Sequence, residues 1–214
     1  RCGYRAGCSP FETWSVVTLV ESLRIALTDM AYGGDAVGKH QGRIVFVPLG
    51  LPGEVVTVTL VETHASYARG RLLDVEFPSR QRVAAPCPAF GRCGGCQWQH
   101  MRYAEQLRLK RYILRNALER IGGEASPAVQ PMLGMQDPWQ YRNHVHLRID
   151  DRGQPGYYAL HSHEIIATDH CPIAHPLLET MWDAHQQCHL AAEELILRAG
   201  LNTGERMAIV RGRQ

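Results

Sequence analysis

Arg43-Ile-Val-Phe-Val-Pro-Leu-Gly-Leu-Pro-Gly-Glu-Val-Val-Thr-Val-Thr-Leu-Val61 decides the fold of the first third of the chain. Two runs rich in β-branched residues flank Leu49-Gly-Leu-Pro-Gly53, where glycine and proline stop either strand from continuing. Upstream, Leu23-Arg-Ile-Ala-Leu27 alternates, and the glycine-rich stretch Tyr32-Gly-Gly-Asp-Ala-Val-Gly38 reads as a turn. Downstream, Tyr67-Ala-Arg-Gly-Arg-Leu-Leu-Asp-Val75 supplies the last strand of the set. Several short strands with turn signals between them, all within about 55 residues, predict a small closed barrel. Lys39, Arg43, Arg69 and Arg71 lie on these strands, with Tyr67 beside the last two. Cations next to an aromatic ring suit single-stranded nucleic acid, which offers phosphates to attract and bases to stack. A solvated strand face is the plainer reading of any one of them.

Beyond the barrel comes Cys87-Pro-Ala-Phe-Gly-Arg-Cys-Gly-Gly-Cys96, and a fourth cysteine, Cys171, stands far downstream in Cys171-Pro-Ile173. Thiolates crowded on a loop containing Gly91, Gly94 and Gly95 suit a soft metal or an iron–sulfur cluster. Four such ligands could hold a 4Fe–4S cluster or a structural zinc. His100 is the competing zinc ligand, in a set with Cys87, Cys93 and Cys96. Cys188, between His185 and His189, reads as a buried structural cysteine inside a helix.

Tyr103 to Ile121 is the best helical segment, with Tyr103, Leu107, Leu114, Leu118 and Ile121 at helical spacing and Gly122-Gly123 as its stop. Arg108, Lys110, Arg111, Arg115 and Arg120 decorate it, diluted by Glu105 and Glu119. From Trp139 the pattern returns to strands: Tyr141–Ile149, a turn at Asp150–Gly153, Pro155–Leu160, and His163–Thr168 leading to Cys171. Pro176 to about Ala199 reads as helix, and Arg206–Val210 as another strand. His144 and His146 alternate onto one strand face, which reads as polar or RNA-facing. No glycine-rich nucleotide fingerprint, phosphate loop or nucleophile–base spacing occurs.

Composition excludes rather than selects. The 214 residues carry a formal net charge of +2, too slight to imply nucleic acid alone. No run of about eighteen apolar residues exists to span a membrane as a helix. Seven cysteines, four of them committed to a metal, fit a reducing cytoplasmic compartment better than a disulfide framework. The first residue is Arg1 and the chain stops soon after a strand-like run, which reads as a fragment.

Cys87-Pro-Ala-Phe-Gly-Arg-Cys-Gly-Gly-Cys-Gln-Trp-Gln-His100, Gln106-Leu-Arg-Leu-Lys110, Trp139-Gln-Tyr-Arg-Asn143 and Asp169-His-Cys-Pro-Ile173 together resemble one family closely. They look like the amino-terminal and central part of the 23S rRNA (uracil-5-)-methyltransferases, which are S-adenosylmethionine-dependent and carry a TRAM domain. The resemblance implies an α+β, mainly β fold: an OB-like TRAM barrel, a cysteine loop plus helix, then a central antiparallel β-sheet domain with helices. It implies an uncertain tail over 1–20, the RNA-binding barrel over 21–80, the cysteine loop and helix over 81–125, and the central α+β domain over 126–214.

By the same resemblance, Cys87, Cys93, Cys96 and Cys171 ligate a 4Fe–4S cluster that pins the central domain to the cysteine loop. RNA, rRNA before tRNA, would be held by Lys39, Arg43, Tyr67, Arg69, Arg71, Arg142 and Asn143. The methyl donor, the cysteine nucleophile and the general base belong to a carboxy-terminal domain in that family. None of its motifs precedes Gln214, so this chain alone is expected to bind RNA without methylating it. The alternative is a free-standing RNA-binding module with a structural zinc or iron–sulfur site.

Overall fold

The computed structural model describes residues 22–188 and 192–212. The tail over 1–20, with Cys2 and Cys8, lies outside the described residues, as does the side chain of Cys188.

Five strands, β1 (Ser22–Met30), β2 (Ala36–His40), β3 (Arg43–Val47), β4 (Val55–Thr63) and β5 (Tyr67–Phe77), close into a barrel in the order β1-β2-β3-β5-β4. Alternation along each strand turns Ile25, Leu27, Val45, Val47, Val56, Val58 and Ala68 inward, all fully or almost fully buried. Each large member contributes roughly 1.5–3 kcal/mol by leaving water. The stretch expected to be one turn, Tyr32–Gly38, instead ends its turn at Asp35 and enters β2. Small residues make this possible: a Cβ on Gly38 would stand 2.4 Å from Ile25 Cγ2, so only glycine lets β2 lie this close to β1.

The cysteine segment is fastened to the mouth of the barrel. Glu54, whose side chain is fully buried, accepts from the backbone N–H groups of Leu51 and Ser79 at 2.9 and 3.1 Å. It also accepts two bonds from the Arg82 guanidinium at 2.6 Å each, while Arg82 donates to the Leu49 carbonyl at 2.8 Å. Farther along, the Trp98 indole donates to the Gly34 carbonyl at 3.0 Å.

Helix α1 (Tyr103–Arg120) lays Leu109, Tyr112 and Ile113 against the barrel core. The expected apolar stripe divides. Tyr103 and Leu107 face a strap around Gly134, where the Tyr103 hydroxyl accepts the Met135 N–H at 2.9 Å. Leu114, Leu118 and Ile121 are exposed, Ile121 by 88%. The helix lies between two partners, so no single stripe describes its contacts.

The second sheet has the order β10-β9-β6-β7-β8, antiparallel throughout. Its strands are β6 (His144–Ile149), β7 (Pro155–Tyr158), β8 (Ile165–Ala167), β9 (Glu194–Ala199) and β10 (Arg206–Arg211). Helix α2 (Pro176–Cys188) covers one face, packing Leu178 and Trp182 onto Val145, Leu147, Leu195 and Leu197. The expected helix from Pro176 to about Ala199 therefore stops at Cys188, and its last part is strand β9. Leu195-Ile196-Leu197 is a short apolar run whose period cannot tell a buried strand from a helix; pairing with β6 and β10 decides it.

Candidate metal centre and nucleic-acid interface

The cysteine loop is held by its own turns and by the edge of β7. Phe90 N–H donates to the Cys87 carbonyl at 3.1 Å and Cys93 N–H to the Ala89 carbonyl at 2.9 Å. Cys93 forms an antiparallel bridge with Ala159, Gly94 N–H donates to the Tyr158 carbonyl at 2.9 Å, and Leu160 N–H donates to the Arg92 carbonyl at 3.0 Å. A Cβ on Gly94 would stand 3.0 Å from that Tyr158 oxygen. Glycine at this position lets the loop meet the strand without the tight contact that any side chain would bring.

Cys171 arrives from the other side. Arg142 N–H donates to the Ile173 carbonyl and His175 N–H to the Arg142 carbonyl, both at 2.8 Å, which ties the lead-in of β6 to the Cys-Pro-Ile segment. Glu179, in the first turn of α2, accepts the Cys171 N–H at 3.1 Å and pairs with His170 Nδ1 at 2.9 Å.

The result is one narrow cavity lined by all four thiols, Cys87, Cys93, Cys96 and Cys171, with Arg142 and Tyr157 among its walls. All four cysteines are free and half-buried. Gly95 N–H points at Cys93 Sγ from 3.4 Å, and the Gln99 side chain accepts the Cys87 N–H at 3.2 Å. Burial pushes the Cys93 and Cys96 thiols up, and the neighbouring cysteines add to the rise, while Arg142 opposes it. Burial, then Cys171, likewise raises Tyr157. Its buried hydroxyl makes no hydrogen bond of ordinary geometry, and Cys171 is the polar group it senses most.

Protons hold such a set together only until a cation replaces them, because four soft donors around one cavity repel one another as bare thiolates. Among the described residues, no three His, Cys, Asp or Glu side chains are grouped for a single ion. Thiols are the soft donors that thiolate-held metal centres use.

His100 does not line this cavity. Its ring is 4% exposed and tilted against Phe90, with centroids 5.4 Å apart. Burial first, then the Arg82 charge, lowers its pKa to about 4. The imidazole belongs to the packing between the loop and the Glu54–Arg82 pair.

The barrel residues expected at RNA divide into free and engaged. Tyr67, Arg69 and Arg71 alternate onto the outer face of β5, and Lys39 is exposed on β2. Tyr67 stacks on His64 with centroids 4.4 Å apart and meets Phe46 edge-on. Arg69 is already paired, with Asp35 at 3.2 Å and Glu62 at 3.3 Å. Arg43 sits opposite His40 at the end of the β2–β3 pair, in register with the inward series rather than with Lys39.

In the second sheet, Asn143 borders an open depression with His144 and Arg198. Arg142 faces the thiols rather than joining Asn143. Sequence reading missed Tyr157, Gln99 and the Glu54–Arg82 pair; a lone glutamate between two turns carries no visible signal. It also missed Arg148, Arg198 and Arg211, which only strand register brings together.

Comparison with known proteins follows the same division. Residues 17–73 match the family model of the TRAM domain. The chain is 35% identical to an RNA methyltransferase of Halalkalibacterium halodurans over 88% of its length and 45% of the relative's. It is 36% identical to one of Gloeobacter violaceus over 87% and 45%, and 41% identical to one of Clostridium tetani over 68% and 32%. It thus spans about 45% of the length of the first two relatives. A crystal structure of the Pyrococcus abyssi tRNA (uracil-54, C5)-methyltransferase in complex with S-adenosyl-L-homocysteine shares the fold. That likeness has a TM-score of 0.56 and 22% identity, over 86% of this chain and 44% of that one.

Proposed function

The chain belongs to the TRAM-domain RNA methyltransferase family, and from that membership we propose that it is the RNA-binding and 4Fe–4S-binding portion of an S-adenosylmethionine-dependent RNA (uracil-5-)-methyltransferase acting on 23S rRNA. The observation that carries the cluster reading is the meeting of Cys87, Cys93 and Cys96 with Cys171, some 75 residues later, around one cavity. His100 packs behind Phe90 and does not line that cavity, which supports an all-thiol ligand set over the zinc alternative.

The chain divides accordingly into a tail over 1–20, a TRAM barrel over 21–80, a cysteine loop and helix over 81–125, and a central domain over 126–214. The cluster, when bound, would cross-link the loop to the second sheet and place charge there. Arg142 would offset that charge, Gly95 N–H would donate to a ligand sulfur, and the Tyr157 hydroxyl would face Cys171. On the barrel, Lys39, Tyr67 and Arg71 attract phosphate and stack bases, with Arg43 at the rim and Arg69 held by its two carboxylates. Asn143 extends the RNA surface to the second sheet. The reading assigns no catalytic role to any of these residues, and it places the work in the cytoplasm.

The test is anaerobic purification of the 214-residue chain with iron, sulfide and zinc analysis, followed by rRNA-fragment binding and a methyl-transfer assay. The reading expects iron and sulfide, RNA binding, and no methyl transfer by this chain alone. One zinc without sulfide would replace the cluster by a structural ion, and methyl incorporation would overturn the assignment of roles.

A further inference from the structure

The Tyr157 hydroxyl lies in the wall of the four-thiol cavity, shut off from solvent, and makes no hydrogen bond of ordinary geometry among the described residues. A buried hydroxyl left unmatched is costly, so such a group marks a place where a partner is expected. It cannot simply turn away to water, because β7 is an interior strand of the second sheet. Gly156 pairs with Arg148 on β6, and Tyr157 with Ile166 on β8. The ring leaves the sheet on the side of α2, where it meets the fully buried Trp182 edge-on with centroids 6.1 Å apart. Cys171 packs against that same core from the segment that leads into α2. Of the groups around it, the hydroxyl interacts most with Cys171.

Two of the other sulfurs have donors of their own from the cysteine loop. Gly95 N–H points at Cys93 Sγ from 3.4 Å. The Gln99 amide oxygen accepts the Cys87 N–H at 3.2 Å, and the same side chain bonds to Cys96. An amide whose oxygen is engaged in this way has its NH2 left for sulfur. Arg142 adds a positive charge that acts on Cys93 and Cys96 together. Cys171 comes from the other side of the cavity, out of the loop's reach, and there the Tyr157 hydroxyl stands in the place that Gly95 and Gln99 take for the loop thiols.

We propose that the Tyr157 hydroxyl donates a hydrogen bond to Cys171 Sγ when that sulfur is a ligand of the centre, and that this bond raises the centre's reduction potential. The inference rests on the reading of the four cysteines as ligands of a 4Fe–4S cluster, and it adds a residue that acts through one of them. A thiol is a weak acceptor, whereas a thiolate makes an O–H donor's bond charge-assisted. Hydrogen bonds to ligand sulfurs draw charge from them and so favour the more negative, reduced state. One electron from an added low-potential reductant enters the centre, and the hydroxyl keeps its proton throughout.

The test is a dithionite redox titration of the anaerobically purified 214-residue chain, followed by electron paramagnetic resonance, beside Tyr157→Phe and Tyr158→Phe. Tyr157→Phe should keep iron and sulfide and hold about tenfold less reduced centre at the parent midpoint, a fall of about 59 mV for one electron. Tyr158 is next along β7 and does not line the cavity, so Tyr158→Phe should keep the parent midpoint. Installing 3-fluorotyrosine at position 157 keeps the hydroxyl and makes it a stronger donor, so the midpoint should rise. A loss of packing would not produce shifts of opposite sign, and the fluorinated chain carries the test where Tyr157→Phe fails to assemble iron. A midpoint that neither change at position 157 moves would overturn the hydrogen bond while leaving the cluster in place. A parent chain without iron and sulfide would overturn the cluster reading itself, and the role of Tyr157 with it.

Discussion

Gly94 donates its backbone N–H to the carbonyl oxygen of Tyr158 at 2.9 Å, and through that bond the cysteine loop becomes an extension of the second sheet. The thiols of Cys93 and Cys96 are thereby set against Cys171, which the sheet's own connection delivers. The barrel holds the same loop from the opposite side through Trp98 and Glu54. The four-thiol cavity is thus a product of two sheets meeting, not of one local motif.

Gly94→Val should separate loop from strand. Its side chain would start 3.0 Å from the Tyr158 oxygen, and relief requires backbone movement. The expected result is a loss of about 1–3 kcal/mol in stability and reduced metal content, with barrel strands intact. Denaturant unfolding alongside metal analysis checks both.

Glu54→Gln should destabilise the chain by about 3 kcal/mol, the lower end for breaking a buried pair, because Arg82 keeps some solvent contact. Burial raises the Glu54 pKa, but the Arg82 side chain and the Ser79 and Leu51 N–H groups more than reverse it, leaving it lowered. A lowered carboxylate stabilises fully above its unfolded pKa of about 4.5 and loses that contribution as pH falls through the folded value. Unfolding midpoints below pH 5 should therefore fall more steeply in the parent than in the variant.

His100 gives a slope at higher pH. Its folded pKa of about 4 lies below the ordinary 6.5, so the unfolded chain binds the proton first. Stability should be full above about pH 6.5, decline as pH falls toward about 4, and level off below, a change of roughly 3 kcal/mol. His100→Phe should flatten that segment of the profile, which unfolding curves at several pH values would reveal.

Much of this fold was legible because the barrel strands carry strict alternation and firm turns. The β-rich run 43–61 reads directly, and only β2 was hidden, since Ala36 and Gly38 look like turn residues until β1 packs on them. The four thiols were legible as chemistry from type and spacing. Their meeting was expected from the family resemblance and not from spacing, because the position of the fourth thiol depends on the pairing of residues 140–142 with 172–175. Strand β9 was misread for want of its neighbours. Arg198, Arg148 and Arg211 had no common signal, because register alone brings them onto one face.

On the barrel, Arg71→Ala should weaken RNA binding with a salt slope shallower by about 0.7, whereas Arg69→Ala should cost more stability than RNA affinity. Arg69 is tied to Asp35 and Glu62, and removing it leaves two carboxylates without their partner. Binding and unfolding measured on the same two variants separate the roles.

The most direct test of the central claim is metal and sulfide analysis of the anaerobically purified chain beside Cys171→Ser and His100→Gln. Four thiols around one centre predict about four irons with matching sulfide in the parent and in His100→Gln, and loss of both in Cys171→Ser. One zinc without sulfide, retained in Cys171→Ser and lost in His100→Gln, would contradict the account.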